Sequence, residues 1–238
     1  MKHLEKFRAT SQIQFDILDA NGLVDEARLR LYRPGQLLLS DILPILHNVG
    51  FRVLDQAPTE VRLADGTTLR IDTFRLKTDR ASGEAEYVES RDRLVAGLTA
   101  VFDGKMRSDP LNRLMLKPGL GWEDVDLLRA YVRYSMQIGP FFATSVVERV
   151  LFHHASLTGA LVEYFHTRFH PRLGAADSDE RKTRVENARR AIVEGLRAIQ
   201  DASEDRVFRV LLNLIDATVR TNAFRTDRKF HYISFKID

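Results

Sequence analysis

The chain contains no cysteine among its 238 residues. Disulfide scaffolds, thiolate metal sites and cysteine nucleophiles are therefore excluded, and a reducing compartment fits this composition. No stretch approaches the roughly 18 apolar residues that a membrane-spanning helix needs, and the N-terminal residues lack the apolar core of a secretion signal. We therefore expect a cytoplasmic protein without a membrane partner.

The chain has only a small surplus of positive charge, with 36 basic and 33 acidic residues. Its densest basic stretch, residues 180–190, includes Glu180 and Glu186 and contains no aromatic side chain on which a base could stack. We interpret this stretch as a solvated helix face and expect no nucleic-acid partner. Nucleic-acid binding through Arg181 to Arg190 is the competing hypothesis, and it predicts an affinity that falls steeply with salt.

Signatures of catalysis are absent from the sequence. Gly119 and Gly121 lack the third glycine and the preceding strand of a dinucleotide-binding loop, and there is no phosphate-binding P-loop or Gly-x-Ser-x-Gly elbow. His166 and His170 have the spacing of two metal ligands on one helical face, but Pro171 ends that helix and no carboxylate obviously completes the set. We predict no catalytic residue, no metal site and no cofactor-binding residue.

Residues 28–108 have an α+β pattern. Leu29 and Leu31 alternate with arginines in a short strand, and Ser40 is predicted as the N-cap of a helix that ends at Gly50. Two further strands flank the dipeptide Asp65-Gly66, which favours a two-residue hairpin turn. A second helix follows, so the order is that of a ferredoxin-like βαββα unit whose last strand is not evident.

Residues 109–225 are predicted to form an all-α bundle of about five helices, from apolar stripes at helical spacing. The stretch Gly174 to Asp179 is the one flexible-looking break in it. Residues 1–27 are assigned to an N-terminal lead-in. The helical run is expected to stop at Phe224, and residues 226–238 are expected to form a strand without a later strand to pair with.

One small-ligand site has a physical basis. The turn Arg33-Pro34-Gly35 leads to the amino end of a helix at Ser40-Asp41, where backbone N–H groups could hold a carboxylate. Gly35, Ser40 and Asp41 are therefore the candidate effector-binding residues. An ordinary capped helix is the alternative, because Asp41 already brings a negative charge to that end.

Several stretches, in order, resemble the large NAD-dependent glutamate dehydrogenases. They are LRLYRPGQLLLSDILPILHNVGFRVLDQAPTEV, LNRLMLKPGLGWEDVDLLRAYVRYSMQIG, LVEYFHTRFHP, SEDRVFRVLLNLIDATVRTNAF and YISFKID. The resemblance implies the family's last ACT-like module and the helical region ahead of its catalytic region. The family's glycine-rich lysine motif and Rossmann domain do not occur in this sequence. The implied NAD-dependent oxidation of L-glutamate therefore belongs to a parent enzyme, and this segment alone is expected to be inactive.

The resemblance also implies partners. ACT-like modules generally pair their sheets and often bind amino acids, so we expect an amino-acid effector, a homo-oligomer and contact with the rest of the parent chain. A degenerate module used only for docking is an equal alternative, because the fourth strand is missing. A free-standing amino-acid-sensing or protein-interaction module is the competing interpretation. Under the parent-enzyme interpretation, the C-terminal strand is expected to be the first strand of the next domain.

Overall fold

A computed structural model describes residues 13–19, 26–35, 37–63, 66, 68–77, 84–117, 119–139, 142–173, 178–227 and 232–238, with the backbone alone for 84–89. The chain divides into two compact units, Met1–Trp122 and Glu123–Asp238. None of the described helices is both long and apolar enough to cross a lipid bilayer.

The first unit is an antiparallel sheet with two α-helices. Its elements are β1 (Gln14–Asp19), β2 (Glu26–Arg33), α1 (Leu39–Asn48), β3 (Arg52–Arg62), β4 (Thr68–Lys77), α2 (Glu84–Phe102) and a 3-10 helix (Pro110–Leu116). The strands lie in the order β1-β2-β4-β3. From β2 to α2 the predicted βαββα succession is present, and the α+β, ACT-like class is confirmed.

The expectation that the fourth strand is missing is wrong. Residues 14–19, within the predicted lead-in 1–27, form the edge strand β1, where Phe15 lies opposite Leu31 and Ile17 opposite Leu29. All four side chains are buried. In the βαββαβ arrangement the last strand follows the second helix. Here the strand beside β2 comes from the N-terminal side instead.

One face of the sheet forms the core of the first unit. In β2 the buried Leu29 and Leu31 alternate with the exposed Arg28 and Arg30, as an antiparallel sheet covered on one side requires. The ring of Phe15 lies 5.2 Å from that of Phe102 on α2, which places α2 over this face. The core also includes buried apolar residues of both helices: Ile42, Leu46, Leu94 and Leu98.

Helix α1 ends as predicted but begins differently. Gly50 has φ +94°, and the N–H of Phe51 donates to the Leu46 carbonyl at 3.0 Å, which completes a left-handed C-terminal cap. The N-cap is Leu38 and not Ser40, so the predicted cap is wrong. The hydroxyl of Ser40 contacts the Asp41 carboxylate at 3.3 Å instead of a backbone N–H group.

The hairpin loop is longer than predicted. The last strand pair is Arg62 with Thr68, so the loop spans residues 63–67 and not two residues. Asp65 lies outside the described residues, while Gly66 has the positive φ, +81°, that such a loop favours. Pro58 lies within β3, opposite Asp72. Because β3 is an edge strand, the missing proline N–H is tolerated there.

The division after Trp122 lies later than the boundary predicted between residues 108 and 109. Asp109 caps the 3-10 helix by accepting the N–H of Leu111 at 3.2 Å. Leu114 and Met115 are buried, and a Cβ atom at Gly97 of α2 would overlap the Met115 side chain. The 3-10 helix therefore packs closely on α2 and belongs to the first unit.

The second unit contains the predicted helical bundle. Its elements are α3 (Trp122–Ile138, beginning at the last residue of the first unit), α4 (Thr144–His153), α5 (Ala155–Phe169), a 3-10 helix (Pro171–Leu173), α6 (Asp179–Leu196), α7 (Ala202–Ala217), β5 (Thr218–Thr221) and β6 (Phe235–Ile237). The five α-helices within the described ranges confirm the predicted bundle. Most of the predicted break, residues 174–177, lies outside the described residues.

The C-terminal strand has a partner, contrary to the expectation. Helix α7 ends at Ala217, before the predicted Phe224, and β5 pairs antiparallel with β6 so that Thr221 lies opposite Phe235. The Phe235 ring stacks on Tyr131 at 4.3 Å, and the Tyr131 hydroxyl lies 2.8 Å from Thr218 Oγ1. Burial raises the pKa of Tyr131 above its usual value. Residues 235–237 therefore belong to the second unit.

Replacing Phe15 with alanine tests the N-terminal strand. Because Phe15 is buried against Phe102, we expect a loss of about 3–5 kcal/mol in the free energy of unfolding. Leu18→Ala, at a half-buried position of the same strand, is the control and should cost less than about 2 kcal/mol. Urea unfolding followed by circular dichroism measures both. Equal losses would show that β1 is not packed as described.

Candidate functional site: a polar groove in the first unit

A buried ion pair lies at the end of β2. Nε of Arg33 donates to Oδ2 of Asp72 at 2.6 Å, and the two side chains are 5% and 3% exposed. Arg33 also donates to the carbonyl of Gly35. Since a buried charge is tolerated only when it is paired and hydrogen-bonded, these contacts hold the guanidinium in one position.

Gln56 completes this network from the edge strand. Its Nε2 donates to Oδ1 of Asp72 at 2.6 Å, so both oxygens of the carboxylate accept hydrogen bonds. The three side chains come from β2, β3 and β4. The network therefore ties three strands together at one end of the sheet.

A groove with a volume of about 570 Å³ opens above this network. Arg33, Gln56 and Asp72 line it from the sheet, and the partly exposed leucines 37–39 line it from the connection to α1. The volume is in the range of small-molecule sites. The groove therefore combines fixed polar groups with an apolar wall.

The rim of the groove carries a second, weaker ion pair. Nη2 of Arg70 lies 3.4 Å from Oε2 of Glu60, and both side chains are exposed. Exposed pairs of this kind contribute little to stability, so both groups can exchange partners at low cost. The groove thus presents two cations and two carboxylates, and each cation is paired with one of the carboxylates.

The three predicted effector residues lie beside this groove. Gly35, with φ +73°, contributes the carbonyl that Arg33 binds, whereas Ser40 and Asp41 are exposed on the first turn of α1 and do not line the groove. The N–H groups of Asp41 and Ile42 donate to the Leu38 carbonyl. Of the residues that line the groove, Arg33 was predicted to lie in the turn before α1. Gln56, Arg70 and Asp72 were not predicted as site residues.

Two histidines of the second unit contact carboxylates of neighbouring helices. His166 lies 2.9 Å from Asp124, and His154 lies 2.7 Å from Glu204. Nδ1 of His170 accepts the N–H of Arg172. No group of three or more potential metal ligands occurs among the described residues. These contacts connect α5 with α3 and α7.

Three protein-family models match successive parts of the chain. The model of the glutamate dehydrogenase ACT3 domain matches residues 15–89, and that of glutamate dehydrogenase helical motif 3 matches residues 106–171. The model of the bacterial NAD-glutamate dehydrogenase catalytic domain matches residues 191–238. The lead into a catalytic domain was predicted to begin at residue 226, whereas the third match begins at residue 191.

Curated relatives named NAD-specific glutamate dehydrogenase match most of the chain. The protein of Pseudomonas aeruginosa is 35% identical over 85% of this chain, and that of Halomonas elongata is 33% identical over 88%. The protein of Mycobacterium tuberculosis is 32% identical over 79%. The matched region spans only 12% or 13% of the length of these relatives.

Replacing Asp72 with asparagine tests the buried network. The change keeps the shape of the side chain but leaves the Arg33 charge buried without a carboxylate, so we expect a loss of about 3–5 kcal/mol in the free energy of unfolding. Glu60→Gln breaks the exposed pair and should cost less than about 1 kcal/mol. Urea unfolding distinguishes the two variants, and an Asp72→Asn variant as stable as Glu60→Gln would contradict the ion pair.

Proposed function

Since the chain belongs to the NAD-specific glutamate dehydrogenase family, we propose that it acts as a non-catalytic regulatory and assembly segment of such an enzyme. The parent reaction converts L-glutamate, NAD⁺ and water into 2-oxoglutarate, ammonium, NADH and a proton. Support comes from the order of the matched models, in which an ACT domain and a helical motif precede the start of a catalytic domain.

The residues of this chain do not fit an NAD site. Dinucleotides bind at the carboxyl ends of parallel strands beside a glycine-rich turn. Both described sheets are antiparallel, and the sequence lacks the glycine fingerprint. We therefore assign the cofactor and the hydride transfer to other parts of the parent enzyme.

Amino-acid sensing is the regulatory role that the groove supports. The exposed Arg70 and Glu60 offer opposite charges to the carboxylate and ammonium of a free amino acid, and the buried Arg33–Asp72 pair supplies a fixed polar floor beneath them. This arrangement of charges is the observation that carries the proposal. We also propose effector binding for Gly35, Ser40 and Asp41, because these residues flank the leucines that form the apolar wall.

Assembly is the second part of the proposed role. The sheet face opposite the helices exposes Arg28 and Arg30, beside a small apolar cluster in which Tyr32 and Leu69 are buried and Ile71 is partly buried. We propose that this face packs on a second copy, giving a homo-oligomer, and that the chain also contacts the rest of the parent enzyme. The proposed location is the cytoplasm.

Thermal melting of the 238-residue chain with each of the twenty amino acids tests the sensing role. A ligand present at about 100 times its dissociation constant adds about 2.7 kcal/mol of stability. We expect a raised melting temperature with at least one amino acid, and a smaller shift in Glu60→Gln, which removes one rim charge. Glu194→Gln, exposed on α6 in the other unit, is the matched control and should keep the full shift.

Two results would reject parts of this proposal separately. If no amino acid changes the melting temperature, the sensing role is wrong while assembly still stands. If sedimentation shows a monomer at every concentration, the homo-oligomer is wrong while sensing still stands.

A further inference from the structure

A second cleft, of about 550 Å³, lies in the second unit where α5 ends, α6 begins and β5 passes. Its lining includes four cations and two apolar side chains: Arg168, Arg181, Lys182, Arg220, Phe169 and Val219. Among the described residues, none of those that line it is acidic. We refer to it as the basic cleft.

Two of the four cations also have a structural role. Arg181, which is 5% exposed, donates from Nε to the Thr167 carbonyl at 3.0 Å and from Nη2 to the Arg168 carbonyl at 2.9 Å. The guanidinium of Arg168 donates to the Thr218 carbonyl at 3.2 Å and so holds the end of α7. Carbonyl groups at a helix C-terminus carry only partial charge. Both guanidinium groups are therefore held in fixed positions at the floor of the basic cleft.

Lys182 and Arg220, at the rim of the basic cleft, do not have the helix-capping role of Arg168 and Arg181. Nζ of Lys182 lies 3.6 Å from the carboxylate of Asp179, and both side chains are exposed, so this pair is weak. Arg220 lies directly opposite Lys236 in the β5–β6 pair, next to an irregularity in the ladder. Like charges in this position repel each other. An anion bound at the rim would relieve that repulsion.

Asp216, at the end of α7, already has partners. Asp216 accepts the Tyr164 hydroxyl at 2.6 Å and lies 2.9 Å from Arg189. Burial and this hydrogen bond raise the pKa of Tyr164 to about 12. The Asp216 carboxylate is therefore hydrogen-bonded to Tyr164 and paired with Arg189.

The apolar part of the lining faces solvent. Val219 is 56% exposed, and the guanidinium of Arg168 lies 4.9 Å from the centre of the Phe169 ring. An exposed apolar wall beside a cationic floor suits a ligand that has both an anionic group and an apolar or aromatic group. A bare inorganic anion would leave that wall in water.

We propose that the basic cleft binds a small molecule that bears a phosphate group and an apolar or aromatic group. The phosphate lies against Lys182 and Arg220 at the rim, above the guanidinium groups of Arg168 and Arg181. Arginine and lysine both recognise phosphate, through paired N–H donors and a point charge respectively. The apolar group lies against Phe169 and Val219. This site is separate from the groove of the first unit and does not depend on the role proposed for it.

Titration of the 238-residue chain with phenyl phosphate, followed by ¹⁵N nuclear magnetic resonance, tests the site. We expect shifts concentrated at residues of the basic cleft, tighter binding than inorganic phosphate shows, and no matching shifts with phenol. Since each rim cation supplies a charge-assisted contact, Lys182→Gln and Arg220→Gln should each weaken binding by about tenfold. Added salt should weaken binding further.

Arg184→Gln is the matched control, because Arg184 is exposed on α6 and pairs with Glu180 outside the cleft. It should bind phenyl phosphate as tightly as the unchanged chain. The proposal is overturned if phenyl phosphate does not bind, if phenol or inorganic phosphate binds equally well, or if the rim variants keep the original affinity. Melting temperatures of the exposed-site variants confirm that each one is folded.

Discussion

Strand β2 is hydrogen-bonded to β1 on one side and to β4 on the other, and the first unit depends on this double pairing. The register places Leu29 between Ile17 and Phe74, so three apolar side chains meet on the covered face. A shift of one residue would turn every side chain of β2 to the opposite face. The same register sets Leu31 opposite Asp72, which brings Asp72 next to Arg33. The register of β2 therefore determines both the packing of the core and the position of the Arg33–Asp72 pair in the groove.

The succession of elements could be read from the sequence because apolar periodicity and turn residues act locally. The edge strand β1 was missed although Phe15 and Ile17 are separated by the polar Asp16. Six residues with such a pattern form a strand only when a neighbouring strand pairs with them, and that pairing is a tertiary effect. The end of α7 was misplaced for a related reason. The hydroxyl of Thr218 bonds to the Leu214 carbonyl and contacts the Tyr131 hydroxyl, a partner 87 residues away.

The candidate sites were harder to predict than the fold. Arg33 and Asp72 are 39 residues apart, and nothing in their local sequence shows that they form a pair. Arg181 belongs to a stretch whose alternating charges are typical of a solvated helix face, but its side chain is buried against the end of α5. A charge pattern predicts how many charges a helix carries. Which of them point inward depends on the neighbouring element.

Pro58 in the edge strand β3 has a consequence for how copies of this protein meet. An exposed strand edge invites strands of other molecules to add to the sheet, and this leads to open-ended aggregation. Proline has no N–H group, so a strand arriving along β3 would find a gap in the ladder at residue 58. Uncontrolled growth along this edge is therefore disfavoured.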